Sequence, residues 1–144
     1  MSNVRRRMNL TAWNEVVSAL SDRDVSTCVE AASKLHTSAT PEDIPRLLSL
    51  VESADFFIRE AAAWPLAELA GPSVLPQLLT AYQRGFDEGH DNDGFTAALL
   101  EIPAIFGSEA KHAIASLADT AEGKMKENAL WLLEFCEKEG EAKQ

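Results

Sequence analysis

The sequence predicts an all-α chain, an α-α superhelix built by stacking about four helical hairpins, and three observations predict it. The first is the stretch Asp55 to Gly71, DFFIREAAAWPLAELAG, which holds a complete helix. Asp55 suits an N-cap, and Ile58, Ala62, Leu66 and Leu69 recur at helical spacing. Gly71-Pro72 then supplies a left-handed turn followed by a residue that cannot continue the helix. The second is the run of small residues Ala61, Ala62, Ala63 and Ala67, which lets neighbouring helices approach on more than one side. The third is internal repetition: Pro41, Ile44, Pro45, Leu47 and Leu48 recur as Pro72, Leu75, Pro76, Leu78 and Leu79, each 31 residues later.

The elements follow in order. Thr11 caps a helix to Leu20 that places Trp13, Val16, Val17 and Leu20 on one face, and Ser21-Asp22 reads as a turn. Asp24 to His36 repeats the Asp55 stretch at the same offset of 31, with Asp24 for Asp55, Ala31 for Ala62 and Leu35 for Leu66, but Thr27-Cys28 in place of Ile58-Arg59. A terminal repeat has a neighbour on one side only, so drift from the pattern is expected there. Thr40-Pro41-Glu42-Asp43 is close to a capping box and opens a helix to Ser53, which Pro45 is expected to bend by removing a backbone hydrogen bond.

The next unit begins at Pro72. Its second helix is delayed by a polar, glycine-rich insertion, Gly85 to Gly94, and runs from Phe95 to Phe106, with Pro103 kinking it as Pro65 kinks its counterpart. Ser108 caps the last unit, which carries Ile114 and Leu117, turns near Gly123 and continues from Lys124 to about Glu139, with fraying expected from Gly140 on. There Met125, Lys126, Glu127, Ala129, Trp131 and Leu133 stand 67 residues after Ile58, Arg59, Glu60, Ala62, Trp64 and Leu66. One domain, 1–144, of four hairpins at about 9–38, 40–71, 72–107 and 108–140 accounts for the chain.

Asp55, Ile58, Arg59, Ala62 and Leu66 also fall on the D-x-x-V-R-x-x-A-x-x-x-L pattern of HEAT-like repeats, in the subtype named after phycobilisome lyases. The chain resembles that family over most of its length. The resemblance implies a short right-handed solenoid whose second helices line a concave face and whose usual trade is binding other macromolecules. Some relatives are lyases that attach bilins, and others are glycosylases that act on DNA. The resemblance also implies that Arg59 is structural, pairing with acids of its own or a neighbouring unit. Asp55, Arg59 and Lys126 then form a repeat ladder, with Asp55 four residues before Arg59 and able to face it.

Composition narrows the function. A chain of 144 residues that is 46% hydrophobic and 25% charged can bury a core as one domain. A net charge of -10 argues against sequence-independent nucleic-acid binding, which needs a field of Lys and Arg. The one basic run, Arg5 to Arg7, reads as a flexible start rather than a targeting segment. No apolar window is long enough to span a membrane. Cys28 and Cys136 lack the spacing of zinc or redox sites, so buried free thiols and a reducing cytoplasm are expected.

Two sets of residues are candidates for partner binding. Glu60 and Trp64 lie one turn apart on the face opposite the Ile58-Ala62-Leu69 stripe, and Glu127 and Trp131 repeat the pair. A large aromatic at a surface position is an anchor candidate; the competing reading is a filler of the groove between helices. The second set is Asp87, Glu88, His90, Asp91 and Asp93 in the 85–94 loop. A calcium loop would need an acid where Gly89 stands and a glutamate where Leu100 stands, so no metal and no cofactor is expected. His36 and His112 lie within helices with no nucleophile motif beside them, although an acid pair such as Asp87 and Asp93 stays open.

The expected function is a non-catalytic protein-protein interaction module that grips a partner with a basic surface through the concave face and the 85–94 loop. One form of it is a bacterial immunity or inhibitor protein that occludes a basic toxin. The alternative from another class is a lyase-type enzyme, or enzyme subunit, related to bilin lyases. Nucleic-acid processing is disfavoured by Glu60 and Glu127 on the face that would have to be basic.

Overall fold

The computed structural model describes residues 8–142, with side chains through Cys136, and the Arg5 to Arg7 run and residues 143–144 lie outside them. The described residues form α1 Leu10–Leu20, α2 Val25–Ser38, α3 Ile44–Val51, α4 Phe56–Leu69, α5 Leu75–Asp87, α6 Asp93–Phe106, α7 Ser108–Thr120 and α8 Gly123–Ala142. No strand occurs among them. The helices stack as an α-α superhelix in which the second helices α2, α4 and α6 lie side by side.

Helix starts follow side-chain chemistry. Asp24 accepts from the Thr27 N–H at 3.2 Å and Asp55 from the Ile58 N–H at 3.2 Å, each satisfying a donor the helix cannot. At α1 the cap is Asn9, not Thr11, because Asn9 Oδ1 takes the Ala12 N–H at 2.8 Å. The Thr40 N–H donates to the buried Asp43 carboxylate at 3.0 Å, one arm of a capping box. Before α7 the N-cap position belongs to Gly107 at φ +55°, with Ser108 the first helical residue.

Pro45 does not bend a helix. Pro41–Asp43 forms a separate 3₁₀ turn, and α3 begins afterwards with Pro45 in its first turn, where the missing N–H had no partner to lose. The same arrangement recurs, with the 3₁₀ turn Gly71–Val74 before α5 and Pro76 in the first turn of α5, so the offset of 31 marks a junction rather than a kink. Pro65 and Pro103 do lie inside α4 and α6.

The insertion expected over Gly85 to Gly94 shrinks to residues 88–92, because α5 runs on to Asp87 and α6 starts at Asp93. These glycines serve close approach. A Cβ on Gly85 would stand 2.3 Å from Asn92 Oδ1, and one on Gly94 would stand 2.7 Å from the Glu60 carboxyl carbon. At the far end α8 continues to Ala142, past the expected Gly140.

Helix α4 is the hub. Its Ala61, Ala62, Ala63 and Ala67 are all buried, and it touches α1, α2, α3, α5 and α6. The third pair departs from the stack: α5 and α6 meet only slightly, and α8 packs against both.

One structural device repeats. In the first turns of α2, α4 and α8, Cys28, Arg59 and Lys126 hold equivalent positions, and each donates back to a carbonyl in the last turn of the preceding helix or in the turn just after it. The Cys28 thiol reaches the Asp22 carbonyl at 2.8 Å. Arg59 Nη1 reaches the Ser53 and Ala54 carbonyls at 2.9 and 3.1 Å, and Lys126 Nζ reaches the Ala118 carbonyl at 2.7 Å. Helix C-termini leave carbonyls unpartnered and favour positive charge, so a donor here locks each hairpin shut. The drifted Thr27-Cys28 of the first unit thus keeps the function of the position with a weaker donor. Cys28 is correspondingly only half-buried, whereas Cys136 is buried, and both thiols are free.

Candidate functional site: a groove across the second helices

On α4, Phe57, Glu60, Ala61 and Trp64 recur at helical spacing and share a face. With α2 on one side and α6 on the other, that face lines a groove of about 370 Å³. Its floor is methyl surface from Ala32, Ala61, Ala97 and Ala98, and among the described residues no Lys or Arg lines it. Trp64 and Val29, 44% and 55% exposed, stand at its edges.

Each end carries a carboxyl. Glu60 lies against the backbone of Gly94 at the start of α6 and accepts a hydrogen bond from the Phe95 N–H. Burial, and then the Asp91 charge, hold its carboxyl above the usual carboxylate value despite that bond. At the other end the Trp64 indole N–H donates to Glu101 Oε1 at 3.2 Å. Glu101 is also raised, first by burial and then by its hydrogen bond to Glu68. Two neighbouring carboxylates repel, which favours the protonated form of Glu101, and its Oε2 is buried and receives no donor.

Glu68 in turn lies 2.7 Å from His36 Nε2, and the His36 ring stacks on Trp64 at 3.8 Å and 16°. The four side chains His36, Glu68, Glu101 and Trp64 therefore close a ring that ties α2, α4 and α6 together. His36, Glu68 and Glu101 were not among the sequence candidates. The available signal was register: at the offset of 31, His36 falls one residue from the position of Glu68, which puts them at the same level of adjacent second helices.

The other candidates lie elsewhere. Trp131 of α8 is half-buried outside the groove, stacked on Tyr82 of α5 at 5.6 Å and 14° with Phe135 edge-on. Glu127 is exposed and pairs with Lys124 at 3.0 Å. Because α8 packs on α5 as well as α6, the two Glu-Trp pairs that the sequence relates do not meet.

In the 88–92 turn, Glu88 accepts from Arg59 Nη2 and from Arg84 Nε, the latter at 2.8 Å. Those hydrogen bonds draw its carboxyl down from 4.5 to about 2. Arg59, fully buried, thus pairs with an acid of the next unit, while Asp55 serves as the cap of α4. His90 stacks on Phe56 at 4.3 Å. Asp87 accepts from Gln83 at 2.9 Å, Asp91 accepts the Asp93 N–H at 2.9 Å, and Asp87, Asp91 and Asp93 are exposed. Among the described residues no three His, Cys, Asp or Glu side chains converge as a metal site, and no helix is long and apolar enough to cross a membrane.

No protein-family model, curated protein or solved structure matches this chain.

Proposed function

We propose that this chain is a non-catalytic protein-binding module that holds a partner with a basic surface in the groove of α2, α4 and α6. One observation carries the reading: an alanine-floored groove with an exposed tryptophan at its edge and, at each end, a carboxyl that has no Lys or Arg partner among the described residues. Apolar grooves with few polar groups bind ligands, exposed Trp anchors interfaces, and a net charge of -10 steers cationic partners. The exposed acids Asp87, Asp91 and Asp93 extend the negative rim, whereas Glu88 is neutralised within the molecule. Assignment to HEAT-like repeats belongs to the same proposal, supported by the offset of 31 and by the repeated donor at Cys28, Arg59 and Lys126. An inhibitor that covers a basic toxin is one activity of this kind.

The test is affinity capture from the source cell with mass spectrometry, followed by binding of the recovered partner to the wild type and to Trp64→Ala. A loss of about 2 kcal/mol or more with the fold intact supports the site. Unchanged affinity sinks it.

A further inference from the structure

Every residue that lines the groove belongs to a helix, so backbone donors and acceptors there pair along α2, α4 or α6. The first turn of α6 is the exception, and Glu60 already takes its Phe95 N–H. No strand edge stands beside the groove among the described residues. An extended segment laid in it would bury its own N–H and C=O groups without partners, whereas a helix arrives with those groups satisfied. How closely two helix axes approach depends on the side chains at the contact, and the alanine floor makes room for a near approach. Apolar surface continues past the floor: Val25, one turn before Val29 on α2, and Ile105, one turn after Glu101 on α6, are both exposed.

Charge selects among helices. Acids stand in pairs at the two ends, Glu60 with Asp91 and Glu101 with Glu68, and among the described residues none of Glu60, Glu68 and Glu101 pairs with a Lys or Arg. Glu60 and Glu68 lie eight residues apart on α4, about 12 Å along its axis. Residues seven apart on a partner helix span about the same two turns on one face. A second copy of this chain is a poor occupant, since each copy carries a net charge of -10 and would bring acids to acids.

We propose that the groove receives an amphipathic helix of the protein partner, with two basic residues seven apart that reach Glu60 at one end and Glu101 and Glu68 at the other. The apolar residues between them, at i+3 and i+4, lie on the alanine floor against Trp64. This rests on the partner-binding reading above and names the kind of segment that the partner presents.

The probe is a blocked peptide of about 18 residues, long enough to form a helix, with Lys at i and i+7, Leu at i+3 and i+4, and Ala and Gln elsewhere. Three controls accompany it: the same composition with Leu and Lys spread around the helix, the striped sequence broken by Pro at i+5, and the striped sequence with Glu for Lys. Calorimetry gives affinity, and the Trp64 indole N–H resonance, assigned with Trp64→Phe, reports where the peptide lies. The striped peptide is expected to move that resonance and to bind about tenfold or more tightly than each control. Ala97 is exposed, so Ala97→Leu fills the groove without entering the core, and circular dichroism should stay helical. A nested helix then loses about tenfold or more in affinity, whereas a merely apolar patch would bind better. Equal binding of any control, or Ala97→Leu binding as well as the wild type, would overturn the helix assignment. So would an indole resonance that shifts on dilution without peptide, which would give the groove to a second copy. If the captured partner depends on Trp64 while the striped peptide leaves the indole unmoved, the helix assignment falls and the partner-binding reading stands. If the striped peptide binds but partner capture ignores Trp64→Ala, the partner-binding reading falls and the preference of the groove for a helix stands.

Discussion

Glu88 and Glu101 are both carboxyls that bridge neighbouring helical units, yet they are shifted in opposite directions. Glu88 closes a clasp with Arg59 and Arg84 and is drawn down to about 2. Glu101 closes a ring with Trp64, Glu68 and His36 and is raised. The clasp has its counter-charges built in, so it is complete as architecture. The ring holds no Lys or Arg among the described residues; only the His36 imidazole stands against its acids, and burial together with the Glu68 contact keeps the Glu101 carboxyl raised. Acidity alone therefore does not distinguish these two carboxyls; the presence or absence of an arginine partner does.

The largest effect expected from breaking this contrast is on the clasp side. Arg59→Ala empties a fully buried position, frees the Ser53 and Ala54 carbonyls and strips Glu88 of a partner, so urea denaturation should show a loss of about 3 kcal/mol. A loss under about 1 kcal/mol would mean that the clasp is an ornament of the surface.

The two tryptophans sharpen the contrast next. Trp131 is packed on Tyr82 and Phe135, and Trp131→Ala should cost about 3 kcal/mol of stability, with any binding loss following unfolding. Trp64, 44% exposed, should cost about 1 kcal/mol when truncated, chiefly through its stacking on His36, while removing most of the partner affinity. Thermal melts alongside partner titrations separate the two. Equal stability losses would erase the distinction drawn between their surroundings.

Much of the architecture was legible because helix caps, the alanine run and the offset of 31 are local or strictly periodic signals. Pro45 and Gly85 misled for one reason: each has two readings, and the neighbour decides. Pro45 bends a helix interior but opens a helix start, and only the 3₁₀ turn before it settles which. Gly85 looked like loop chemistry until Asn92 filled the space beside it. In the candidate site, Glu60 and Trp64 stood out as a Glu-Trp pair on the polar face of α4. Their repetition at Glu127 and Trp131 suggested a shared surface, but α8 leaves the stack to fill the gap between α5 and α6. His36, Glu68 and Glu101 gave no motif, since their chemistry exists only once three helices are side by side.

The smallest effects are in pH dependence, where the two carboxyls make opposite demands. Glu88 sits below its ordinary 4.5 in the folded chain, at about 2, so its contribution is full above pH 4.5 and is lost as the pH falls toward 2. Glu88→Gln should therefore flatten the acid side of a stability-pH curve. Glu101 is raised in the folded chain, so its contribution is present below its ordinary value of 4.5 and is lost as the pH rises through the raised one. Glu60 is raised as well and adds to the same decline. The wild type should accordingly lose some stability as the pH rises above 4.5. Glu101→Gln should lessen that loss, because its amide N–H donates to Glu68 at every pH where the carboxyl had to hold a proton to do so. Thermal melts of the wild type, Glu88→Gln and Glu101→Gln from pH 3 to 8 decide the matter. If Glu101→Gln lowers the melting temperature at pH 7 relative to the wild type, Glu101 is ionised against Glu68 and held by a cation, and the ring is a second clasp rather than an open site.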